Sequence, residues 1–497
     1  MNPIAIPPNA AAMIEALRGV GYTLQTAIAD VIDNSITAGA GEVLVDFNWS
    51  GRDSWIRIAD NGCGMSAEEL TEAMRLGARH PLAERPEHDL GRFGLGLKTA
   101  SFSQCRRVTV CSRKDGTDTV RRWDLDWIAE HPADWHLLTE PADGSEQRLA
   151  RHAMAEEGTV VLWELLDRVV TGEHLGETIR EQDFLDAIDR VEQHLAMVFH
   201  RYLEDRTISL MLNGREVRPW DPFLSGNPET RRTPEEIIPS RSGIIRVRGY
   251  VLPHRDRFAS DEDYERAGGP AGWGGQQGFY VYRNRRLLVA GGWLGLGTKR
   301  AWTKDQAHRL ARIRIDLPNT ADEEWKIDIR KSMARPPVEV RERLVSIAED
   351  VRQTARRVFA HRGDYGAGPR NDNLLRAWQN TDSGGRIRYR IDRGHPAVRA
   401  MLDRAGPLLP DLQAMLRIIE ETVPVQRIWL DTVEQDATQI GEFTDTAPEE
   451  ISEVLGTLYR DLVRRVGFPP AAARRRLLET VPFQRFPDLV NALPDNP

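Results

Sequence analysis

The chain has few cysteines, few lysines and no long apolar stretch. Its three cysteines, Cys63, Cys105 and Cys111, cannot supply a disulfide framework or a cysteine metal site, so we expect a reducing, cytoplasmic compartment. The longest nearly apolar run, residues 287–297, is shorter than the about 20 residues that a membrane-spanning helix needs. The N-terminus lacks the basic start and apolar core of a signal peptide. The 497 residues therefore indicate a globular protein of about two to four domains.

Lysine is scarce among the basic residues, with six Lys against 61 Arg. The net charge of −8 argues against a surface that attracts nucleic acid everywhere. A position that is lysine in such a chain is informative. Lys98 and Lys331 are two of these six lysines.

Hydrophobic periodicity predicts an α+β protein in three parts. Residues 1–168 alternate helices and strands, as in an α/β sandwich. Residues 169–362 are predicted to form a second α/β domain, with core strands over 279–288 and Ala311–Leu317 and a long helix at its end. Residues 363–497 are predicted to be mostly helical, with one strand over Arg386–Ile391, after a linker within 361–373.

Three short motifs in the first hundred residues carry the chemistry. In the helical stretch Asp30-Val-Ile-Asp-Asn34, the first and last residues share a helix face. The Asp30 carboxylate can deprotonate a water there, and the Asn34 amide oxygen is a suitable ligand for Mg²⁺. The alternative is a helix cap or a solvated polar face.

The second motif is Asp60-Asn-Gly-Cys-Gly-Met65, which follows a strand. A buried Asp60 carboxylate can accept a hydrogen bond from an exocyclic amine such as that of adenine. Gly62 and Gly64 would let the backbone approach a base, and Met65 is an adaptable apolar contact. The alternative is a plain Asn-Gly turn between a strand and a helix.

The third motif, Gly91-Arg-Phe-Gly-Leu-Gly-Leu-Lys98, places glycines before a helix. Backbone N–H groups at a helix N-terminus attract anions, and Lys98 adds a point charge. The spacing is neither a P-loop nor a dinucleotide fingerprint. Its position after a loop rich in Pro, His and charge suggests a lid.

Together with Gly158-Thr159 at the start of a strand, the three motifs resemble the GHKL ATPases (gyrase, Hsp-type chaperones, histidine kinases and MutL), and among them MORC-like members. The resemblance implies a Bergerat-type α/β sandwich that binds ATP and Mg²⁺, followed by a transducer domain. It also implies a lid over about residues 66–93.

The resemblance assigns roles residue by residue. Asp30 would be the catalytic base, Asn34 the Mg²⁺ ligand, and Asp60 the adenine acceptor with Thr159 assisting. The residues that would line the base and ribose are Gly62, Gly64 and Met65, and those that would hold the phosphates are Gly94, Leu95, Gly96, Leu97, Lys98 and Thr99. The family usually has Glu where this chain has Asp30. The Asp side chain is one methylene shorter than that of Glu, so its carboxylate lies nearer the helix. Because a misplacement of about 1 Å can slow a reaction roughly a hundredfold, we expect slow turnover.

A lysine of the transducer domain reaches the γ-phosphate in gyrase, MutL and MORC proteins. The segment Trp325-Lys-Ile-Asp-Ile-Arg-Lys331 is similar to that element, so Lys331 is the candidate, with Arg330 as a substitute. The alternative is a solvated strand end.

Residues 281–314 contain nine Arg or Lys and one acidic residue, Asp305. With Trp293 and Trp302 interleaved, this segment could contact DNA phosphates. The alternatives are a solvated Arg-rich strand pair, or one that serves the ATP site.

The resemblance implies an ATPase whose ATP-driven N-terminal homodimerisation acts as a clamp. Its standalone bacterial relatives suggest DNA-directed defence with a nuclease or methyltransferase partner. The alternative is a non-hydrolysing, ATP-gated scaffold.

Overall fold

The computed structural model describes residues 8–495 except 20, 78–95, 132–134, 151–155, 170–180, 329–330, 332, 361–375, 384–385, 426–447, 465, 481–482 and 484–485. The chain divides into two compact units, Met1–Tyr365 and Gly366–Pro497. Among the described residues, no helix is long and apolar enough to cross a membrane. The predicted linker within 361–373 lies outside the described residues.

A mixed seven-stranded sheet organises the first half of the first unit. Its strands are β1 (Glu42–Asn48), β2 (Trp55–Asp60), β3 (Arg107–Lys114), β4 (Thr117–Asp124), β5 (Gly158–Glu164), β6 (Ser209–Leu212) and β7 (Arg215–Glu216). Their spatial order is β4-β3-β5-β2-β1-β6-β7, and β1 and β6 are the parallel pair. Every residue of the central β5 is buried. Strands β6 and β7 come from residues that the sequence assigned to the second domain.

The helices of this unit are α1 (Ala10–Arg18), α2 (Leu24–Thr37), α3 (Ala67–Met74), α4 (Gly96–Phe102), α5 (Leu125–Glu130), α6 (Glu146–Leu149), α7 (Glu181–Val198), α8 (His200–Glu204), α9 (Asp261–Gly268), α10 (Gly272–Gly275) and α11 (Val338–Ala360). Helices α1, α2, α4 and α7 share one hydrophobic core with the seven-stranded sheet. Thr23 begins α2 through a reciprocal capping box with Thr26, which satisfies N–H groups that a helix start leaves open.

A second sheet follows in the same unit. Its strands are β8 (Arg231–Arg232), β9 (Glu236–Ser240), β10 (Gly243–Val251), β11 (Gly278–Arg283), β12 (Arg286–Ala290) and β13 (Ala311–Leu317). The order is β12-β11-β13-β10-β8, with β9 also paired to β10. The long helix α11 packs on β10 so closely that a Cβ on Gly249 would lie 2.3 Å from Val351 Cγ2.

The single core strand predicted over 279–288 is wrong, because the structure has a hairpin there. Strands β11 and β12 pair antiparallel, and Asn284 and Arg285 between them have φ of 46° and 69°. A two-residue hairpin turn needs such left-handed residues. The sequence did not predict this turn, because its second position is arginine and not the glycine that is typical of such turns.

The second unit contains a hairpin and five described helices. They are β14 (Trp378–Ser383) and β15 (Arg386–Ile391), then α12 (Pro396–Arg404), α13 (Leu409–Glu421), α14 (Pro448–Arg464), α15 (Pro470–Leu478) and α16 (Pro487–Asn491). Leu455, Tyr459 and Leu477 are central to its core. The α+β class is thus confirmed, and the division into three domains stays a prediction.

Candidate functional site

Helix α2 carries the first motif into a buried site. Asp30 and Asp33 are buried, whereas Asn34 is exposed. The Tyr22 hydroxyl donates to Asp30 Oδ2 at 2.7 Å. A Cβ built on Gly96 would lie 3.7 Å from the same carboxylate oxygen. The beginning of α4, from the third motif, therefore lies directly against the first motif.

Tyr22 is fixed as a hydrogen-bond donor to Asp30. Burial, together with the negative charge of Asp30, raises the pKa of the Tyr22 hydroxyl far above its ordinary value. The phenol therefore stays protonated at neutral pH. One of the two oxygens of Asp30 is then oriented by a permanent donor.

Lys331 reaches the same carboxylate from the second half of the unit. Its Nζ is 3.1 Å from Asp30 Oδ1 and 2.5 Å from Asp33 Oδ2. Its backbone has a φ of 54°, a left-handed conformation that non-glycine residues rarely adopt and that clusters at functional sites. The structure thus brings Lys331 to Asp30, although 301 positions separate them. Arg330, the substitute, lies outside the described residues.

Asp33 and Arg286 are two buried residues that the sequence reasoning missed. Arg286 Nε donates to both oxygens of Asp33, at 3.1 and 3.2 Å. Burial alone would raise the pKa of Asp33, but Arg286 and Lys331 outweigh it and hold that pKa below its ordinary value. Asp33 could have been predicted as a site residue, since it lies within the first motif, one helical turn after Asp30. No local signal identified Arg286.

His194 of α7 borders this cluster and adds no charge to it. Burial, then the positive charge of Arg286, lowers the pKa of His194 to about 3. Its Nε2 is enclosed, and within the described part of the chain it has no hydrogen-bond partner. The ion pairs of the cluster are therefore made by Asp30, Asp33, Arg286 and Lys331 alone among these residues.

Asn34 is placed as a cation ligand would need to be. Its Nδ2 donates to the Asp30 carbonyl at 3.1 Å, which fixes the amide and directs its oxygen away from that carbonyl. The side chain is exposed. A single hard oxygen with open surroundings fits Mg²⁺, which keeps several waters and binds phosphate oxygens besides one or two protein ligands.

Asp60 lies at the end of β2 and is tied to three elements. Its Oδ2 accepts from Ser35 Oγ at 2.9 Å. Its Oδ1 accepts from the Gly62 N–H at 2.9 Å and the Thr159 N–H at 3.3 Å. These bonds hold the carboxylate in one orientation. The residue is half-buried, so an amine can reach it.

Thr159 belongs to a hydroxyl network beside Asp60. Its Oγ1 is 2.9 Å from Ser112 Oγ, and Ser112 Oγ accepts from the Met65 N–H at 2.8 Å. Ser112 is a further residue that the sequence reasoning missed, because it comes from the middle of β3 without a motif around it. The network fixes the second motif, including the half-buried Met65, against β3 and β5.

The glycines of the second motif are required by the protein's own packing. Gly64 has a φ of 61°, and a Cβ there would lie 1.9 Å from the Arg113 carbonyl oxygen. A Cβ on Gly62 would lie 2.8 Å from Ala38 Cβ. Their predicted contact with a base stays a prediction, but neither position can accept a larger residue without a shift of backbone.

The third motif is only partly within the described residues. Gly94 and Leu95 lie outside them, as does the predicted lid from residue 78 to residue 93. The first turn of α4 contains Gly96, Leu97 and Thr99.

Lys98 is buried, and its Nζ donates to the carbonyls of Ala73 and Arg75 at 2.8 and 3.0 Å. It therefore joins α4 to the end of α3, where the predicted lid continues. The predicted contact of Lys98 with a phosphate stays a prediction. It would require the ammonium to leave these two carbonyls and bind phosphate oxygens instead.

The basic segment 281–314 exposes much less charge than its composition indicates. Four of its arginines are paired with carboxylates, namely Arg283, Arg285, Arg286 and Arg314. Arg309 and Arg312 are buried, and so is Trp293. Its exposed basic residues are Lys299, Arg300 and Lys304.

The site as a whole has a polar end around Asp60 and an ionic end around Asp30, and α2 runs between them. Asp60 and Thr159 offer acceptors for an amine, and Asp30 with Lys331 offers a carboxylate beside an ammonium. Ser35 and Asn34 are adjacent on α2 and connect the two ends. This arrangement can bind an elongated ligand with an amine at one end and anionic oxygens at the other.

Comparison with known proteins gives a family for this region. Residues 22–159 match the family described as histidine kinase-, DNA gyrase B- and HSP90-like ATPase. The chain is similar to ATPase morc-1 of Caenorhabditis elegans, with 31% identity over 95 residues, which are 19% of this chain and 11% of that protein. It is also similar to the DNA mismatch repair protein MutL of Escherichia coli K12, with 28% identity over 232 residues, 46% of this chain and 34% of that protein. The chain thus matches between about a tenth and a third of the length of these relatives.

Proposed function

Residues 22–159 are an ATPase domain of the histidine kinase-, DNA gyrase B- and HSP90-like type, and on that premise we propose that this protein binds Mg²⁺-ATP and hydrolyses it slowly. The observation that carries the proposal is the contact of Lys331 Nζ with Asp30 Oδ1 at 3.1 Å. It joins the segment that resembles a transducer to the residue in the position of the family's base.

Asp60 is the proposed adenine acceptor. Its carboxylate is oriented by the Gly62 and Thr159 N–H groups and can accept from the exocyclic amine. Thr159 Oγ1 and Ser112 Oγ lie beside it as further hydrogen-bonding groups. Met65 is packed partly against the core and offers its remaining surface to the ring.

Asp30 is the proposed base. It is buried and oriented by Tyr22, so it can align a water and accept its proton. Lys331 and Lys98 are the proposed phosphate contacts, with the N–H groups around Gly96. Asn34 would hold Mg²⁺, which when bound would neutralise phosphate charge.

We expect Asp60→Asn to weaken ATP binding about a hundredfold, because an N–H₂ donor would then face the adenine amine and leave it unpaired. The parent protein should also bind ATP more tightly than inosine triphosphate, whose base lacks that amine. The variant should lose this preference. Calorimetric titration with both nucleotides measures the effect.

Asp46→Asn is the matched control for that variant. Asp46 lies in the same sheet and pairs with Arg57 at 2.7 Å, away from the second motif. Its affinity for both nucleotides should equal that of the parent. An Asp60→Asn protein that still prefers ATP to inosine triphosphate would contradict the adenine assignment.

ATP-driven homodimerisation is the second part of the proposal, by analogy with the family. We expect a non-hydrolysable ATP analogue with Mg²⁺ to shift the protein from monomer to dimer in sedimentation experiments, and ADP not to do so. Asp60→Asn should stay monomeric with either nucleotide. A dimer that forms equally with ADP would rule out a clamp controlled by the γ-phosphate.

A non-hydrolysing scaffold is the alternative function, since Asp30 replaces the usual glutamate. Single-turnover measurements distinguish the two, because a scaffold would dimerise on ATP without releasing phosphate. A role in DNA-directed defence, with a nuclease or methyltransferase partner, rests on analogy with MORC-like proteins. Within the segment 281–314, DNA phosphates could be contacted by the exposed basic residues Lys299, Arg300 and Lys304.

A further inference from the structure

The ion pair of Asp33 with Arg286 has no role in the function proposed so far. Asp33 is 1% exposed and Arg286 is 4% exposed, and 253 positions separate them in the chain. Removing the two charges from water is costly, so such a pair needs well-aligned contacts to form. It joins α2 of the first sheet's core to β12 of the second sheet.

The pair is one half of a balanced cluster of four charges. Asp33 is bonded both to Arg286 and to Lys331. Lys331 is bonded in turn to Asp30, and Arg286 Nη2 is 4.0 Å from Asp30 Oδ1. Two carboxylates face two cations. The four charges of the cluster therefore balance one another.

We propose that Asp33 and Arg286 are positioning residues that hold the Lys331 ammonium against Asp30, so that Lys331 can recognise a γ-phosphate. This inference rests on the proposed ATPase function. Neither residue needs to touch the nucleotide. They act through Lys331.

The contacts of Lys331 support this role. A lysine ammonium has three N–H donors on a flexible side chain. Asp30 and Asp33 accept two of them, which fixes the ammonium and leaves one donor for a terminal phosphate oxygen. Without Asp33, the ammonium would have a single carboxylate to orient it.

Arg286 in turn is fixed by the second sheet and its neighbours. Its Nη1 donates to the Leu287 carbonyl at 2.5 Å, and its guanidinium lies 5.4 Å from the Phe199 ring centre. Asp33 is thereby held by Arg286 as well as by Lys331. The position of the ammonium therefore depends on how β12 sits against α2.

The test is the double variant Asp33→Asn/Arg286→Gln, which keeps the net charge and leaves no unpaired buried ion. We expect ADP affinity close to that of the parent, and a preference for a non-hydrolysable ATP analogue over ADP that falls about tenfold, as for the loss of one charge-assisted hydrogen bond. In a Lys331→Met background the same two changes should leave the preference unaltered. That non-additivity is the signature of action through Lys331.

Asp46→Asn/Arg57→Gln is the matched control, because it removes another Asp–Arg pair from the same unit. It should bind both nucleotides as the parent does. An unchanged or increased ATP preference in the first double variant would overturn the proposal, and so would an equal loss for ADP and the analogue. If that variant does not fold, Arg286→Lys is the substitute, since it keeps the buried charge but cannot reproduce the Arg286 contacts. We expect it too to lower the ATP preference without changing ADP affinity, and the same contrary results would overturn the proposal. Failure of the parent to bind either nucleotide would overturn the ATPase proposal itself, and is therefore a distinguishable result.

Discussion

Asp30→Asn should abolish most ATP turnover while leaving nucleotide binding nearly intact. Asparagine has the same shape, so Tyr22 can still donate to its side-chain oxygen, but it cannot take a proton from water. General-base catalysis contributes about 10²- to 10⁴-fold, and we expect a loss in that range. Phosphate release under single-turnover conditions gives the rate, and titration with a non-hydrolysable analogue gives the affinity.

The neighbouring charges make this variant interpretable. Lys331 keeps its 2.5 Å contact with Asp33, so the ammonium retains a carboxylate partner when Asp30 becomes neutral. Asp46→Asn, a substitution of the same kind outside the site, should turn over ATP at the parental rate. If Asp30→Asn hydrolyses ATP as fast as the parent protein, Asp30 is not the base. If the parent itself dimerises on ATP without releasing phosphate, the scaffold is the better description.

Local patterns predicted most of the first sheet because its strands are bounded by turns and its motifs are short. The segment Gly158–Glu164 was predicted with its observed bounds, and Arg386–Ile391 of the second unit was too. The partner of the latter, Trp378–Ser383, was not predicted, because its polar residues give no apolar alternation. Strands β6 and β7 belong to the first sheet although their residues were assigned to the second domain, since pairing between distant segments leaves no local signal.

The candidate site was predictable in proportion to how local its contacts are. Asp30, Asn34 and Asp60 lie in continuous motifs, and the structure joins them through α2 and Ser35. The Arg286–Asp33 pair is decided by how two sheets pack. Composition left open whether the segment around Arg286 contacts DNA, is a solvated strand pair or serves the ATP site. A charge count cannot distinguish a solvated arginine from one that is paired in the interior.

Lys331→Met should remove the protein's ability to distinguish ATP from ADP. The ammonium is the group that would meet the γ-phosphate, which ADP lacks, so we expect ADP affinity to change little. Removing one preorganised donor to developing charge slows catalysis about 10²- to 10³-fold, and turnover should fall by that much. Competition titration of ADP against a non-hydrolysable ATP analogue measures the preference directly.

The matched control is Lys326→Met. Lys326 lies in the same loop with a similar left-handed backbone, φ 49°, but its side chain is exposed, so both nucleotides should bind as in the parent. Removal of Lys331 also leaves Asp30 and Asp33 with Arg286 as the remaining cation of the cluster, and this lowers stability. A lower free energy of unfolding reduces the population of folded protein, and it would therefore weaken ADP binding and ATP binding alike. A selective loss for ATP therefore identifies Lys331 as the γ-phosphate contact, whereas an equal loss for both nucleotides would reduce it to a structural ion-pair partner of α2.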